Sequence, residues 1–311
     1  MSKLDAATVL LQWAVGGLFF LWVTTRGRVV GIGYGWLLRT VYGTFAALAV
    51  VVAVAATGVV WLREVSAIAV VAATLAALVS SVVRRKAGVS GQRAEAERKR
   101  QRVAAMSGAP SGLVEPELDN ADAATAITMR DAFGRVRPET TRKHGQGREF
   151  APTLDLVAPI VGVIGLVAAG WSAGGNHALV IARTLVGAAL MGAVTDAMLL
   201  GHWYLVQPGL PRQPIHDLND WLFRIWPVEV ALFLLPTGMI SAINGTIHDG
   251  SNGLLAWFWV ACALGTGVLS RVTKAALKER AYSAVMAATG LLYLAILTAF
   301  GTDLVARAIL R

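Results

Sequence analysis

Eight stretches of about 20 predominantly apolar residues, each long enough to cross roughly 30 Å of hydrocarbon, restrict what this chain can become. They lie at approximately Ala6–Thr24, Trp36–Trp61, Ser66–Val83, Leu154–Trp171, Ala178–Val206, Leu222–Asn244, Leu254–Ser270 and Tyr282–Thr302. In hydrocarbon every backbone N–H and C=O has to be satisfied within its own segment, which forces helix over isolated strand. The expected fold is all-α, a polytopic integral membrane helix bundle of about eight transmembrane helices. Of the 311 residues 56% are hydrophobic and 15% charged, more apolar surface than a soluble core of this size needs. No small-x-small cleavage site follows the first run, which reads as a retained helix rather than a signal peptide.

The net charge of +9 is not that of a nucleic-acid binder, because Lys and Arg cluster between the apolar runs, as topology signals do. Placing Arg84, Arg85 and Lys86 in the cytoplasm brings the loops carrying Arg26 and Arg28, Arg212, and Arg271, Lys274, Lys278 and Arg280 to the same side. The opposite loops, around Arg63-Glu64, Ser172–His177 and Ile247–Asn252, are nearly uncharged, so both termini are expected to be extracytoplasmic. Trp13, Trp22, Trp36, Trp61, Trp171, Trp203, Tyr204 and Trp221 lie mostly near run ends, where an interfacial aromatic belt belongs. This organisation divides the chain into membrane helices over 1–83, a basic, partly flexible cytoplasmic loop over 84–150, and further membrane helices over 151–311. The loop is composed as a solvated linker or a docking arm for a protein partner, with Gln92–Met106 helical in composition. The expected setting is the lipid bilayer of a bacterial cytoplasmic membrane.

Ionisable side chains inside a span are expensive, so each is a functional candidate. Asp196 and Glu229 fall in the fifth and sixth runs, at what the run ends suggest is a matched depth, roughly 10–14 Å below the inner surface. Two carboxylates on neighbouring antiparallel helices can share a proton or a cation. Pro227 and Pro236 would kink the sixth helix, and Glu229, Pro236, Thr237 and Asn244 would share one broad face, a polar stripe able to line a path. His202, Trp203 and Tyr204 close the fifth run and could meet a haem, a quinone or partner helices. A second histidine inside a run, needed for bis-histidine haem, is absent. Asp217 or Asn219 would cap the sixth helix, and Arg183 would snorkel outward to a lipid head group. Cys262 stands alone, so thiolate metal and disulfide chemistry are excluded.

No metal cluster and no nucleophile paired with a base is visible, which disfavours an enzyme. The leading expectation is a transporter-like protein moving a proton, ion or small solute through Asp196, Glu229, Thr237 and Asn244. The alternative is a non-catalytic membrane subunit of a larger, respiratory-type complex, built on His202 and its aromatic neighbours.

Overall fold

The computed structural model describes residues 5–85, 150–207, 210–247, 250–279 and 281–310, which form helices with no strand among them. In chain order these are α1 (Ala6–Thr25), α2 (Ile32–Val52), α3 (Trp61–Val83), α4 (Val157–Ser172), α5 (His177–Val206), α6 (Gln213–Leu234), α7 (Gly238–Ile243), α8 (Leu254–Lys278) and α9 (Tyr282–Ile309). A π-helical turn, Ala53–Thr57, continues α2, and a 3-10 turn, Pro152–Leu156, precedes α4. All but α6 and α7 are long and apolar enough to cross a membrane, which makes seven such helices among the described residues. Residues 86–149 of the long polar loop, and with them Gln92–Met106, lie outside the described residues.

Expectation and structure differ most at the sixth run. One kinked helix over Leu222–Asn244 was expected; the chain instead makes α6, which starts at Gln213, and the separate short α7. Pro214 sits in the first turn of α6, where no backbone donor is needed, and Pro227 is accommodated within it. Helix stops before Pro236 because a residue preceding proline is pushed out of the α region; Leu235 has ψ of 149°. Asp217 and Asn219 therefore lie inside α6 and do not cap it. Their face is satisfied laterally: Gln213 donates to Asp217 at 2.6 Å, Asn219 donates to the Ser270 carbonyl at 3.1 Å, and Lys274 pairs with Asp220 at 2.8 Å.

Helices α1 and α5 form the centre. They cross where Gly16 meets Gly192: a Cβ on Gly16 would stand 1.8 Å from the Ala188 carbonyl oxygen, and one on Gly192 2.2 Å from the Gly16 carbonyl carbon. The two backbones touch, which only small residues permit and which gains close packing where lipid supplies no hydrophobic drive. Helices α2 and α4 pack on α1, with α3 outside them against both; α6 and α9 pack on α5, with α8 outside them against both.

Buried ion pairs pin both ends. At the end where α1, α3, α5 and α8 begin, Arg63 (1% exposed) bonds Asp5, Thr8, Glu64 and the Gly58 carbonyl. Arg63 and Glu64, expected in a loop, are thus in the first turn of α3, where Glu64 also accepts from the Val60 N–H at 3.1 Å. At the other end the Arg39 guanidinium makes two 2.7 Å bonds to Asp155, beneath the Phe150 ring. A bidentate geometry of this kind repays part of the cost of burying both charges.

The exterior is apolar: Leu254 is 72%, Leu297 69% and Val83 75% exposed. Trp61, Trp171 and Trp257 stand exposed at one end of the bundle. Such a surface is covered by acyl chains rather than water, and the chain is an α-helical, multi-pass membrane bundle. Trp13 departs from the expected belt: it lies half-buried among Phe45 and Phe300 and donates to Thr195 at 3.0 Å.

Candidate functional site

Asp196 and Glu229, expected to form one pair, have separate partners. Asp196 is fully buried on α5, about 15 Å from the helix end at Val206. Its Oδ1 accepts from the Tyr42 hydroxyl of α2, and its backbone carbonyl from the Tyr34 hydroxyl at 3.3 Å; Oδ2 has no partner. Gly17 makes room for this contact, since a Cβ there would enter the Tyr42 ring at 2.1 Å. Glu229, also fully buried, lies about 24 Å along α6 from Gln213, closer to the opposite end. The depths do not match because α6 begins nine residues earlier than the apolar run.

The carboxyl that Glu229 meets is Asp303 of α9, and the guanidinium groups of Arg307 and Arg183 complete its electrostatic surroundings. Neither Glu229 oxygen receives a hydrogen bond from an N–H or a hydroxyl; its hydrogen-bonding partner is the Asp303 carboxyl, with which it can share a proton. Asp303 is fully buried and held by Arg307 one turn further along, at 2.8 and 2.9 Å. Arg307 also donates to the Arg183 carbonyl at 2.9 Å, and Gln12 donates to the next carbonyl, Thr184, at 2.8 Å. These side chains converge on Gly187. A Cβ there would lie 2.5 Å from Asp303 Oδ1, 3.0 Å from Arg307 Nη2 and 3.1 Å from Gln12 Nε2.

Arg183, the expected lipid head-group contact, bonds protein carbonyls in this structure. It reaches across to α6 and donates to the Leu232 and Leu235 carbonyls at 3.0 and 2.7 Å, closing the end of that helix where unpaired carbonyls and the dipole favour a cation. The Phe233 ring lies 5.3 Å from the Arg183 guanidinium and 6.0 Å from that of Arg307, so one buried aromatic steadies both cations.

Above this group is a cavity of about 390 Å³. Its wall includes Asp5, Gln12, Arg183, Phe233 and Arg307, with Thr57 and Gly58 after the π-helical turn. It is a chamber of mixed polar and apolar lining, at the end of the bundle where α1, α3 and α5 begin, with Asp5, Arg183 and Arg307 on its wall.

The remaining candidates do not join it. Thr237 and Asn244 are exposed and flank α7 rather than continuing the Glu229 face, so the predicted stripe is interrupted. His202 is exposed at the other end of α5. Trp203 turns to Gln207 and to the Tyr34 ring, while Tyr204 donates to the Pro211 carbonyl at 2.6 Å, so the three do not form one pocket. No group of three His, Cys, Asp or Glu able to hold a metal occurs among the described residues.

Sequence reasoning missed Gln12, Asp303 and Arg307. The last two were legible as a carboxylate and a guanidinium at i and i+4 beyond a run ended at Thr302, although the helix continues to Ile309. Gln12 gave less signal, as one amide in a long apolar run. Fold and site together define a multi-pass helical membrane protein with a charged chamber at one end. No family model, curated protein or solved structure matches the chain.

Proposed function

We propose that the protein is a carrier in the bacterial cytoplasmic membrane which moves a small solute together with protons, with Glu229 and Asp303 as its protonation unit. The observation that carries this reading is Glu229, fully buried with no N–H or hydroxyl donor to either oxygen, facing a second buried carboxyl beside Arg307 and Arg183. Isolated charge inside a span is costly and is kept where it handles ions or protons. A carboxyl pair of this kind can take up a proton or a cation, and the cavity walled by its neighbours Arg183 and Arg307 supplies the route. In this reading Asp196 ties α5 to α2 through Tyr42 and does not carry the solute.

The topology proposed with it has eight spans. At 22 residues, α6 is about 33 Å long, and it packs between α5 and α8. Of its acidic residues near Gln213, Asp220 pairs with Lys274 and Asp217 accepts from Gln213, so they do not prevent it from crossing. The basic ends, with Arg84, Arg85 and Arg212, then face the cytoplasm, and the chamber and both termini face outward.

The test is a pH-sensitive dye sealed inside proteoliposomes, challenged with a panel of organic acids, amino acids and inorganic ions. Solute-dependent proton movement above protein-free vesicles is expected, reduced at least about tenfold by Glu229→Gln or Asp303→Asn and little changed by Asp196→Asn. Undiminished movement in Glu229→Gln vesicles, or none with any solute, would sink the proposal.

A second reading, the membrane subunit of a haem- or quinone-bearing complex, is favoured by one observation: His202 is exposed beside exposed Leu205 and Val206. A partner's helix or cofactor would meet it there. An oxidised-minus-reduced optical spectrum and a gel of the gently purified protein test it; a colourless, solitary chain removes it.

A further inference from the structure

The chamber has two kinds of free recognition group, and their chemistry differs. Gln12 is fully buried, and its amide nitrogen is fixed on the Thr184 carbonyl, so its orientation is set. The amide oxygen that remains, Oε1, is buried with no donor. Leaving a buried acceptor unpaired has a cost that a bound donor removes. Arg183 and Arg307 line the same chamber, and each uses Nε and Nη2 on protein acceptors. Neither Nη1 makes a hydrogen bond to the described residues. Two guanidinium groups stacked about one phenylalanine favour a planar anion that accepts from both.

The other charges at the chamber are already matched. Asp5 is held by Arg63 and caps α1 through the Ala7 N–H at 3.0 Å, and Asp303 is held by Arg307. Arg183 makes no salt bridge to a carboxylate among the described residues; its bonds are to carbonyls, and the buried carboxyl near it is Glu229. The groups with unused hydrogen-bonding capacity are thus the Nη1 donors of two cations on one side and a neutral acceptor on the other. A ligand complementary to both carries a carboxylate and, within a few ångströms of it, a hydrogen-bond donor. A chamber of about 390 Å³ lies within the size range of small-molecule pockets.

We propose that this chamber binds a small carboxylic acid bearing a hydroxyl or ammonium group on the neighbouring carbon, the carboxylate at Arg183 and Arg307 and the donor at Gln12 Oε1. The assignment names the solute of the carrier reading and rests on it for its purpose, but binding itself is an equilibrium property that does not require transport.

Equilibrium dialysis of the full-length protein in detergent, with radiolabelled lactate, alanine and propionate, tests it. These share a three-carbon acid and differ in the donor: hydroxyl, ammonium or none. Lactate or alanine is expected to bind at least about tenfold more tightly than propionate, and which of the two binds identifies the donor. Gln12→Met, checked for an unchanged gel-filtration profile, should bring the preferred acid to the propionate level. Equal binding of all three, binding of none, or preference for inorganic phosphate overturns the proposal, and the wild-type comparison decides even if the variant fails to fold. Glu229→Gln protein that binds the acid but moves no protons supports both readings. Proton movement driven by some other solute, with no acid bound, removes this inference and leaves the carrier reading standing.

Discussion

The two buried carboxyl sites of this bundle differ in what surrounds them. Asp196 faces hydroxyl groups: Tyr42 and Tyr34 of α2 close on it, and Gly17 gives the Tyr42 ring its space. No described cavity is lined by it or by its two tyrosines. Glu229 and Asp303 face guanidinium groups, and the chamber wall begins at Arg183, Arg307 and Phe233. Equal burial therefore does not mean equal role. A neutral donor and tight packing make a helix-to-helix tie of the kind membrane bundles use throughout, whereas compensated charge beside open space is the arrangement expected where ions or charged solutes bind.

The sharpest way to break this comparison is to remove each carboxylate in turn. Asp303→Ala leaves the Arg307 guanidinium, largely buried, without its salt-bridge partner, and about 3–5 kcal/mol of stability should be lost. Asp196→Ala leaves only a neutral Tyr42 hydroxyl unpaired and should cost about 1–3 kcal/mol. Denaturant unfolding of the purified variants in detergent measures both. If the two losses are equal, charge compensation does not distinguish the sites.

A methyl group placed between helices sharpens the same comparison with a smaller effect. At Gly187 a Cβ would meet side-chain atoms of Asp303, Arg307 and Gln12, which can give way by losing their mutual alignment. Gly187→Ala is expected to cost about 1–3 kcal/mol, the usual range for overpacking, and to reduce solute-dependent proton movement as strongly as Glu229→Gln does. At Gly201 the nearest atoms are those of the Thr289 side chain, so Gly201→Ala should show a comparable stability loss with proton movement retained. Loss of movement in both variants would mean that general loosening of α5, and not the cluster at Gly187, controls activity.

Most of the fold was legible in the sequence because apolar runs of membrane length have one outcome in hydrocarbon. Seven of the runs correspond to long helices whose starts or ends were misjudged by a few residues, mainly where Arg271, Lys274, Asp303 and Arg307 continue a helix past its apolar part. The sixth run was misjudged for the complementary reason. Gln213, Asp217, Asn219 and Asp220 look like a loop by polarity, yet each finds a partner on its own helix or on α8 and lies in a helical turn. That shift moved Glu229 to a different depth and exchanged its expected partner Asp196 for Asp303. Periodicity within one run cannot reveal this, because the choice of partner depends on how α5, α6 and α9 pack together. The participation of Gln12 is of the same kind: only the approach of α1 to α5 at Gly16 and Gly192 brings it to the Thr184 carbonyl.

The smallest expected effect tests the break between α6 and α7. A single kinked helix would make Thr237 and Asn244 part of the Glu229 face, and their loss would damage the same pathway. With the chain leaving helix at Leu235 and both side chains exposed, that continuity is gone. Neither side chain makes a hydrogen bond to another described residue through its polar atoms, so truncation removes no buried contact. Thr237→Ala and Asn244→Ala should each change stability by less than about 0.5 kcal/mol, as surface substitutions do, and leave proton movement within about twofold of the parent, a shift of less than roughly 0.5 kcal/mol in barrier height. A tenfold loss in either variant would restore the continuous polar stripe and require α7 to approach the chamber during the transport cycle, which makes this weakest perturbation the one that tests the location of the pathway most directly.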